Sequence, residues 1–517
     1  MNKVAALCRK TFIFIAFLTF NFFFCGCGAK TEESGQKKEI SFMAIALADH
    51  VLENKYSEKV IRQYEDYTGI HVSWQWIPTE SYADHLSYTL MDKANIPMIV
   101  TVGSNMKADI VNEAKKGSFW DLSPFLERED LFPNLSQANS NILSAMKVDG
   151  KLIGIYRSRA VGRYGLSYRK DWAEAVGIFE EPQTPKDVYD MLYRFTRQDP
   201  DGNGIDDTYG LEMTSYVGSL DIIQTWFGCG NGWVEMDGVL TPVHETAEYM
   251  EALWWMRKVY QDGLVRPDWP LVDAGAYGDA VKNGEAGVIV DVMGYGTKAW
   301  RYFEEQQIPS AADPTQTASM GLVGPIGGAT LSTDGYNGFF VITTDGAKTE
   351  EDVINCLTFL DKMCDEEMIL LADYGLEGIT YRVDEAGLVE NITGILAEER
   401  PEYSLNQAIC YIPNTTISQE RILQTEINEA QNTAYEKNEK AAVYNPAIGY
   451  LANSEVNAVK GAQLDEILKK ARTSFICAQI SEDEFMGKIK EWEEMGGAAL
   501  KEEINRLMQE DRKEWRK

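Results

Sequence analysis

Between residues 39 and 125, apolar runs alternate with stretches of helical periodicity, and that alternation leaves few folds open. Residues 39–46 read as a strand. Val51, Tyr56, Val60, Tyr64 and Tyr67 then recur at helical spacing, and Thr68-Gly69 supplies a stop. Residues 70–77 alternate again as a strand and put Trp74 and Trp76 on one face. Helices are expected over 82–93 and 108–116, with a strand between them over 96–102. Strands separated by helices need crossover connections, so the sheet is mainly parallel with helices on its faces. Asp149-Gly150-Lys151 makes a hairpin turn before a strand over 152–156.

The rest of the chain carries the same alternation, then turns helical. Helices are expected from Asp171, over 185–197, over 249–261 and over 297–306. Strands are expected over 287–292, 320–323 and 335–343. Beyond 349 the pattern is mostly helical, over 349–373, 418–436 and from 482 onward. No period of 20–50 residues repeats. A chain of 517 residues with 44% hydrophobic residues exceeds one usual domain and has ample core material. The expectation is an α/β protein of two lobes. One lobe takes 39–156 and 289–345. The other takes 157–288 and 346–517, with a C-terminal helical extension.

The first 38 residues address rather than build the fold. Lys3, Arg9 and Lys10 precede an apolar run over 11–24, roughly 14 residues, which suits a signal-peptide core better than a membrane span. Phe24-Cys25-Gly26-Cys27 then reads as a bacterial lipobox, with Phe24 where Leu is usual. This marks 1–26 as a lipoprotein signal peptide and Cys27, ahead of the poorer Cys25, as the acylated residue of a palmitate-type anchor, while an ordinary secreted protein or an uncleaved anchor fits the same leader. Residues 27–38 are polar and read as a flexible tether. The protein is thus placed outside the cytoplasm, held to the cell membrane through its lipid alone. A net charge of −31 argues against nucleic acid and against anionic membrane surfaces. Beyond the leader, Cys229, Cys356, Cys364, Cys410 and Cys477 are odd in number and fit no zinc spacing. They read as small buried apolar residues.

Residues 199–207 gather oxygens at alternate positions: Asp199, Asp201, Asn203 and Asp207, with Gly202 and Gly204 letting the backbone curl. Converging oxygens suit a hard cation such as Ca²⁺. The twelfth position of an EF-hand would be a glutamate and is Gly210 here. An Asx-rich turn without an ion fits the same spacing. Searches for catalytic groups fail. His244-Glu-Thr-Ala-Glu248 lacks the second histidine of a zinc protease helix, and there is no Gly-x-Ser-x-Gly elbow. Four histidines make a metal triad improbable on numbers alone. Paired carboxylates of the glycosidase kind decide nothing among 80 acidic residues.

An ordered set of motifs carries a resemblance. The lipobox is followed by Asp149-Gly-Lys-Leu-Ile-Gly-Ile155, Tyr168-Arg-Lys-Asp-Trp172, Gly177-Ile178, Pro182, Thr184 and Asp199-Pro-Asp-Gly-Asn-Gly204. Glu285-Ala-Gly-Val-Ile-Val290, Gly321-Leu-Val-Gly-Pro-Ile-Gly327 and Tyr374-Gly-Leu-Glu-Gly378 complete it. Together they resemble the family 1 extracellular solute-binding lipoproteins, the substrate receptors of carbohydrate ABC importers, over about residues 40–510. The resemblance implies a monomeric receptor, not an enzyme. Its lobes close by hinge motion on an oligosaccharide, which is handed to ABC permease subunits. By similarity to the alginate-binding relatives, Asp199, Asp201, Asn203, the Ile205 carbonyl and Asp207 would hold a structural Ca²⁺. Thr208 stands where those relatives carry a further carboxylate.

Sugar chemistry then selects candidates. Aromatic rings stack on sugar faces, while Asp, Asn, Arg and Glu meet the hydroxyl rims. Such residues belong where strands end. Trp74, Trp76, Tyr156, Arg157, Arg159, Tyr168, Trp226, Trp233, Asp291, Tyr295, Tyr336 and Tyr381 meet these conditions, though each aromatic can equally be core. The run 156–170 holds five cations and no acid, and Arg157, Arg159 and Arg163 suggest an anionic group on the ligand. Neutralisation of an acidic neighbourhood explains the run as well. A secreted carbohydrate-active hydrolase or lyase is the rival reading, and a peptide or small-ion receptor on the same fold is open too.

Overall fold

The computed structural model describes residues 37–514 except 48–50, 54, 104–107, 393–394, 396–399, 401, 403 and 414–424. The expected leader, Cys27 and nearly all of the tether lie outside the described residues. No described helix is long and apolar enough to cross a membrane.

The alternation at the start of the chain builds the first sheet. Its order is Ile70–Pro78, Lys38–Ala46, Ile99–Val102, Tyr336–Ile342 and Ile155–Ser158. The first three strands run parallel, and Tyr336–Ile342 runs antiparallel to both of its neighbours. Helices Ser57–Thr68, Tyr82–Met91, Glu350–Lys362 and Glu366–Tyr374 cover it, and Phe42, Tyr64, Phe340, Phe359 and Leu360 fill one core with them. The second sheet has the order Met320–Val323, Tyr164–Arg169, Ala286–Val292, Tyr209–Leu211. Here Tyr164–Arg169 is antiparallel to both neighbours, while Ala286–Val292 runs parallel to Tyr209–Leu211. A Cβ on Gly287 would stand 2.2 Å from the Phe195 ring and 2.9 Å from the Trp172 ring, so only glycine lets helix Pro185–Arg197 lie this close. That helix begins with a capping box between Thr184 and Asp187.

The two-lobed α/β architecture is borne out, but the second halves of both lobes need correction. The expectation puts 289–345 in the first lobe, yet Ala286–Val292 and Met320–Val323 both pair with Tyr164–Arg169 in the second sheet. Conversely, helices Glu350–Lys362 and Glu366–Tyr374 were expected in the second lobe, and their Val353, Leu357, Leu360 and Ile369 belong to the first core. A continuous apolar strand fits any buried sheet position, so its pattern cannot say which sheet receives it.

The Tyr168-Arg-Lys-Asp-Trp motif is a core staple. Arg169 donates from Nε and Nη2 to the two oxygens of Asp171 at 2.8 and 2.7 Å. Its guanidinium lies 4.8 Å from the Trp172 ring and 4.7 Å from the Phe303 ring. The C-terminal extension comprises helices Glu455–Ile476, Glu482–Trp492 and Ala498–Glu514. The first of these was not anticipated. The single helix expected from 482 is broken at Glu493–Gly497, where Gly496 adopts φ 142°. Trp492, Ile504 and Leu464 of this extension pack on Trp233 and Leu240 in a separate small core. The five cysteines Cys229, Cys356, Cys364, Cys410 and Cys477 are free and buried, as their spacing implied.

Candidate ligand-binding cleft

The parallel strands of the first sheet end at Ala46, Pro78 and Val102, and those of the second at Leu211, Val292 and Val323. Open α/β sheets bind ligands outside such carboxyl ends. Crossing segments between the sheets are laced together there. Arg159 N donates to Gly335 O at 2.9 Å, Thr333 N to Val161 O at 3.0 Å and Met293 N to Arg163 O at 2.9 Å. Residues 158–164, 291–295 and 333–336 are thereby brought to one place.

Asp291 lies at its centre, opposite Gly165 in the sheet register. Its Oδ1 accepts from the Val292 amide at 2.5 Å, whereas Oδ2 is buried with no hydrogen-bond partner. Burial pushes this carboxyl above the usual range, opposed by the Val292 amide, the nearby Tyr216 hydroxyl and Arg163. Tyrosines form the adjoining wall. The Tyr216 ring is 5.7 Å from that of Tyr277, which is 5.2 Å from Tyr295. Tyr277 is fixed by its hydroxyl, which donates to Val290 O at 2.9 Å and meets Ser219 Oγ at 2.9 Å. Glu212 holds the same segment by accepting from Gly278 N at 2.6 Å. Burial raises the Glu212 carboxyl to about 7. Tyr164 is raised by burial and then by Asp291 and Asp334, so both acids are its electrostatic neighbours. Burial and Asp334 push Tyr336 up to about 12. Arg159 is lowered by burial and by Arg163. The site therefore combines an unsatisfied buried acceptor, tyrosine faces and two arginines. That set suits a ligand with apolar faces and many hydroxyls.

Of the candidates chosen from sequence, Arg159, Asp291, Tyr295 and Tyr336 stand here, and the others stand elsewhere. Trp74 and Trp76 stack on each other at 4.7 Å, and Trp74 stacks on Phe42 and donates to the Tyr64 hydroxyl, so they pack against the first core. Tyr156 is buried and its hydroxyl accepts from Asn139 N at 2.7 Å. Arg157 is buried, donating to Asn337 O at 3.2 Å and Gln407 Oε1 at 2.8 Å, and burial lowers it to about 10. Tyr168 and Trp226 belong to the core of the second lobe, and Trp233 to that of the extension. Tyr381 sits in a hairpin beside Tyr374. Most of these lie on a covered strand face or in a helix-packed core, whereas the four in the cleft stand at or next to strand ends. Tyr216, Tyr277, Glu212 and Asp334 were not singled out from sequence. The signal for Tyr216 was its place just beyond Tyr209–Leu211, a strand of three residues too short to recognise.

The acidic loop lies at the far end of helix Pro185–Arg197. Asp199 adopts φ 45°, with Gly202 and Gly204 also at positive φ. Asp199 accepts from Asn203 N and Gly204 N at 3.1 and 2.9 Å. Asn203 Nδ2 stands between Asp201 Oδ2 at 2.9 Å and Asp207 Oδ1 at 3.2 Å. Burial, then Asp199 and Asp207, raise the Asp201 carboxyl. Thr208 turns inward and donates to Phe195 O at 2.6 Å, so its side chain faces away from the loop. Among the described residues, no group of three or more His, Cys, Asp or Glu is arranged to hold a metal ion.

Comparison with known proteins agrees with this architecture. The family described as bacterial extracellular solute-binding protein matches residues 48–361. Lipoprotein LipO of Bacillus subtilis (strain 168) is 34% identical over 491 residues, covering 92% of this chain and 93% of its own. The polygalacturonan/rhamnogalacturonan-binding protein YtcQ of the same organism is 26% identical over 503 residues, covering 92% and 94%. The fold is shared with the substrate-binding protein FusA of Streptococcus pneumoniae in complex with kestose. That pair has a TM-score of 0.59 at 15% identity, covering 92% of this chain and all of the other. This chain belongs to the bacterial extracellular solute-binding proteins, which are binding proteins that work outside the cytoplasm.

Proposed function

We propose that the protein is a lipid-anchored receptor that captures an oligosaccharide between its lobes and delivers it to an ABC importer. The carrying observation is the buried, unpartnered Asp291 Oδ2 beside the Tyr216, Tyr277 and Tyr295 rings, at the carboxyl edge of the second sheet. A sugar hydroxyl donating to that oxygen removes an uncompensated acceptor, and the Tyr216 and Tyr295 rings, braced by buried Tyr277, cover an apolar sugar face. The lobes exist in open and closed arrangements, and a ligand touching both favours the closed one. The names of YtcQ and of the kestose-bound FusA support a saccharide over a peptide or ion. Arg159 and Arg163 leave room for an acidic sugar, while Asp291 and Asp334 favour a neutral one. The protein acts as a monomer, and Cys27 is the anchor.

A structural Ca²⁺ in the acidic loop belongs to the same reading. Asp199, Asp201, Asn203, the Ile205 carbonyl and Asp207 would hold it, and the like charges crowding Asp201 fit a cation there. The ion would brace the loop away from the sugar.

The experiment is a thermal-shift screen against neutral and uronate oligosaccharides, followed by assay of the hits for turnover. A raised melting temperature without new reducing ends or unsaturated products is the expected result. Turnover would establish the hydrolase or lyase reading instead, and a panel without any shift would remove the carbohydrate reading.

A further inference from the structure

A cavity of about 770 Å³ opens where the C-terminal extension meets the first lobe. Helix Ser140–Ser144 forms one wall and the segment carrying Tyr444, Tyr450 and Asn453 forms the other. The crossing residues 332–334 make part of its lining. The segment leading into the extension is tied to both sides of this space. Strand Ala442–Val443 pairs with Thr330–Leu331, and Asn453 Nδ2 donates to Lys147 O at 2.8 Å. Its volume falls within the range of small-molecule sites, about 300–1,000 Å³.

The lining mixes aliphatic side chains such as Ile142 with uncharged hydrogen-bonding groups, notably Asn141, Asn231, Tyr444 and Asn453. Asn453 Oδ1 is buried without a hydrogen-bond partner, although both bonds of its Nδ2 are made. The cavity also adjoins the cleft. Asp334 lines it, and the same carboxylate acts on Tyr164 and Tyr336 of the cleft. The lining also carries the acids Asp149, Asp334, Glu510 and Asp511 against one cation, Lys147. A carboxylated sugar is repelled there, whereas a neutral one finds hydroxyl partners and an aliphatic floor.

We propose that this cavity is a distal subsite of the cleft, taking uncharged sugar units of an oligosaccharide whose other end lies at Asp291. The proposal rests on the carbohydrate reading given above. It makes the C-terminal extension a determinant of ligand length.

Isothermal titration of the full protein with neutral and uronate oligosaccharides of two to six units tests it. Asn141→Trp places an indole in the cavity from an exposed position, and Tyr444→Ala removes part of a wall without adding bulk. Each variant is expected to weaken the longest neutral ligand at least tenfold while changing the disaccharide less than twofold. If Asn141→Trp does not fold, Tyr444→Ala carries the comparison. Equal losses at all lengths, or none at any length, overturn the subsite and leave the carbohydrate reading standing. A length-dependent loss seen only with uronates overturns the uncharged assignment. Wild-type protein that binds no oligosaccharide overturns the carbohydrate reading and the subsite together.

Discussion

Arg169 and Asp291 are both charged residues of the second sheet, and each is only 4% exposed. Their surroundings differ completely. Arg169 has a bidentate carboxylate partner in Asp171 and aromatic rings against its guanidinium, and Asp171 in turn accepts from Ala311 N at 3.1 Å. Asp291 has one oxygen on a neighbouring amide and, for the other, only the nearby Tyr216 hydroxyl outside hydrogen-bond geometry. A buried charge whose bonds are all made within the chain is architecture. One left short at a strand's carboxyl end is, on the proposed reading, completed by a ligand donor.

The largest effect expected from this contrast is at the staple. Arg169→Ala leaves Asp171 buried and uncompensated, so unfolding free energy should fall by about 3–5 kcal/mol. Denaturant melts check this, and any folded fraction should bind ligand as before. A loss below about 1 kcal/mol would mean the staple is not what closes this core.

Glu212 tests the boundary between the two kinds of charge, because it is bonded yet strained. Its folded value of about 7 lies above the usual glutamate range, so the folded state holds the proton more tightly. The associated stability is present at low pH and is lost as pH rises toward about 7. Glu212→Gln should flatten that fall, gaining on the order of 2 kcal/mol relative to wild type between pH 4 and pH 8. Parallel stability curves for the two proteins would contradict the assignment.

A smaller change is expected at the acidic loop. Chelation should lower the melting temperature by about one degree, roughly 1 kcal/mol in a chain this size, without altering ligand affinity. An unmoved melting curve would count against bound calcium. The smallest effect is expected at Trp76, which sequence alone placed in the binding set. Trp76→Phe should change affinity by less than twofold, since its ring packs on Trp74 rather than facing the cleft. A tenfold loss there would reverse the division drawn between core and cleft.

Much of this was legible before the structure. The strand expected over 320–323 and the helix over 185–197 fall where the pattern put them, because their ends carry Gly-Pro and a capping threonine. The motif Tyr168-Arg-Lys-Asp-Trp172 was visible but its role was not, since a salt bridge folded back on its own turn looks the same in sequence as a ligand-binding pair. The tryptophans at 74 and 76 misled for a related reason. Period-two alternation says that they share a face, and only helices from distant parts of the chain decide whether that face is covered. Glu212, Tyr216 and Asp334 were missed because their importance comes from which strand ends lie side by side. That juxtaposition is set by pairing between residues 77 or more positions apart, such as Val288 with Leu211 and Val290 with Leu166.

Calorimetric titration of Asp291→Asn with an oligosaccharide that wild type binds reads out whether Asp291 Oδ2 receives a ligand hydroxyl. At least a tenfold rise in Kd, about 1.4 kcal/mol, is expected, with a melting temperature equal to or above that of wild type. Binding within twofold of wild type would contradict it.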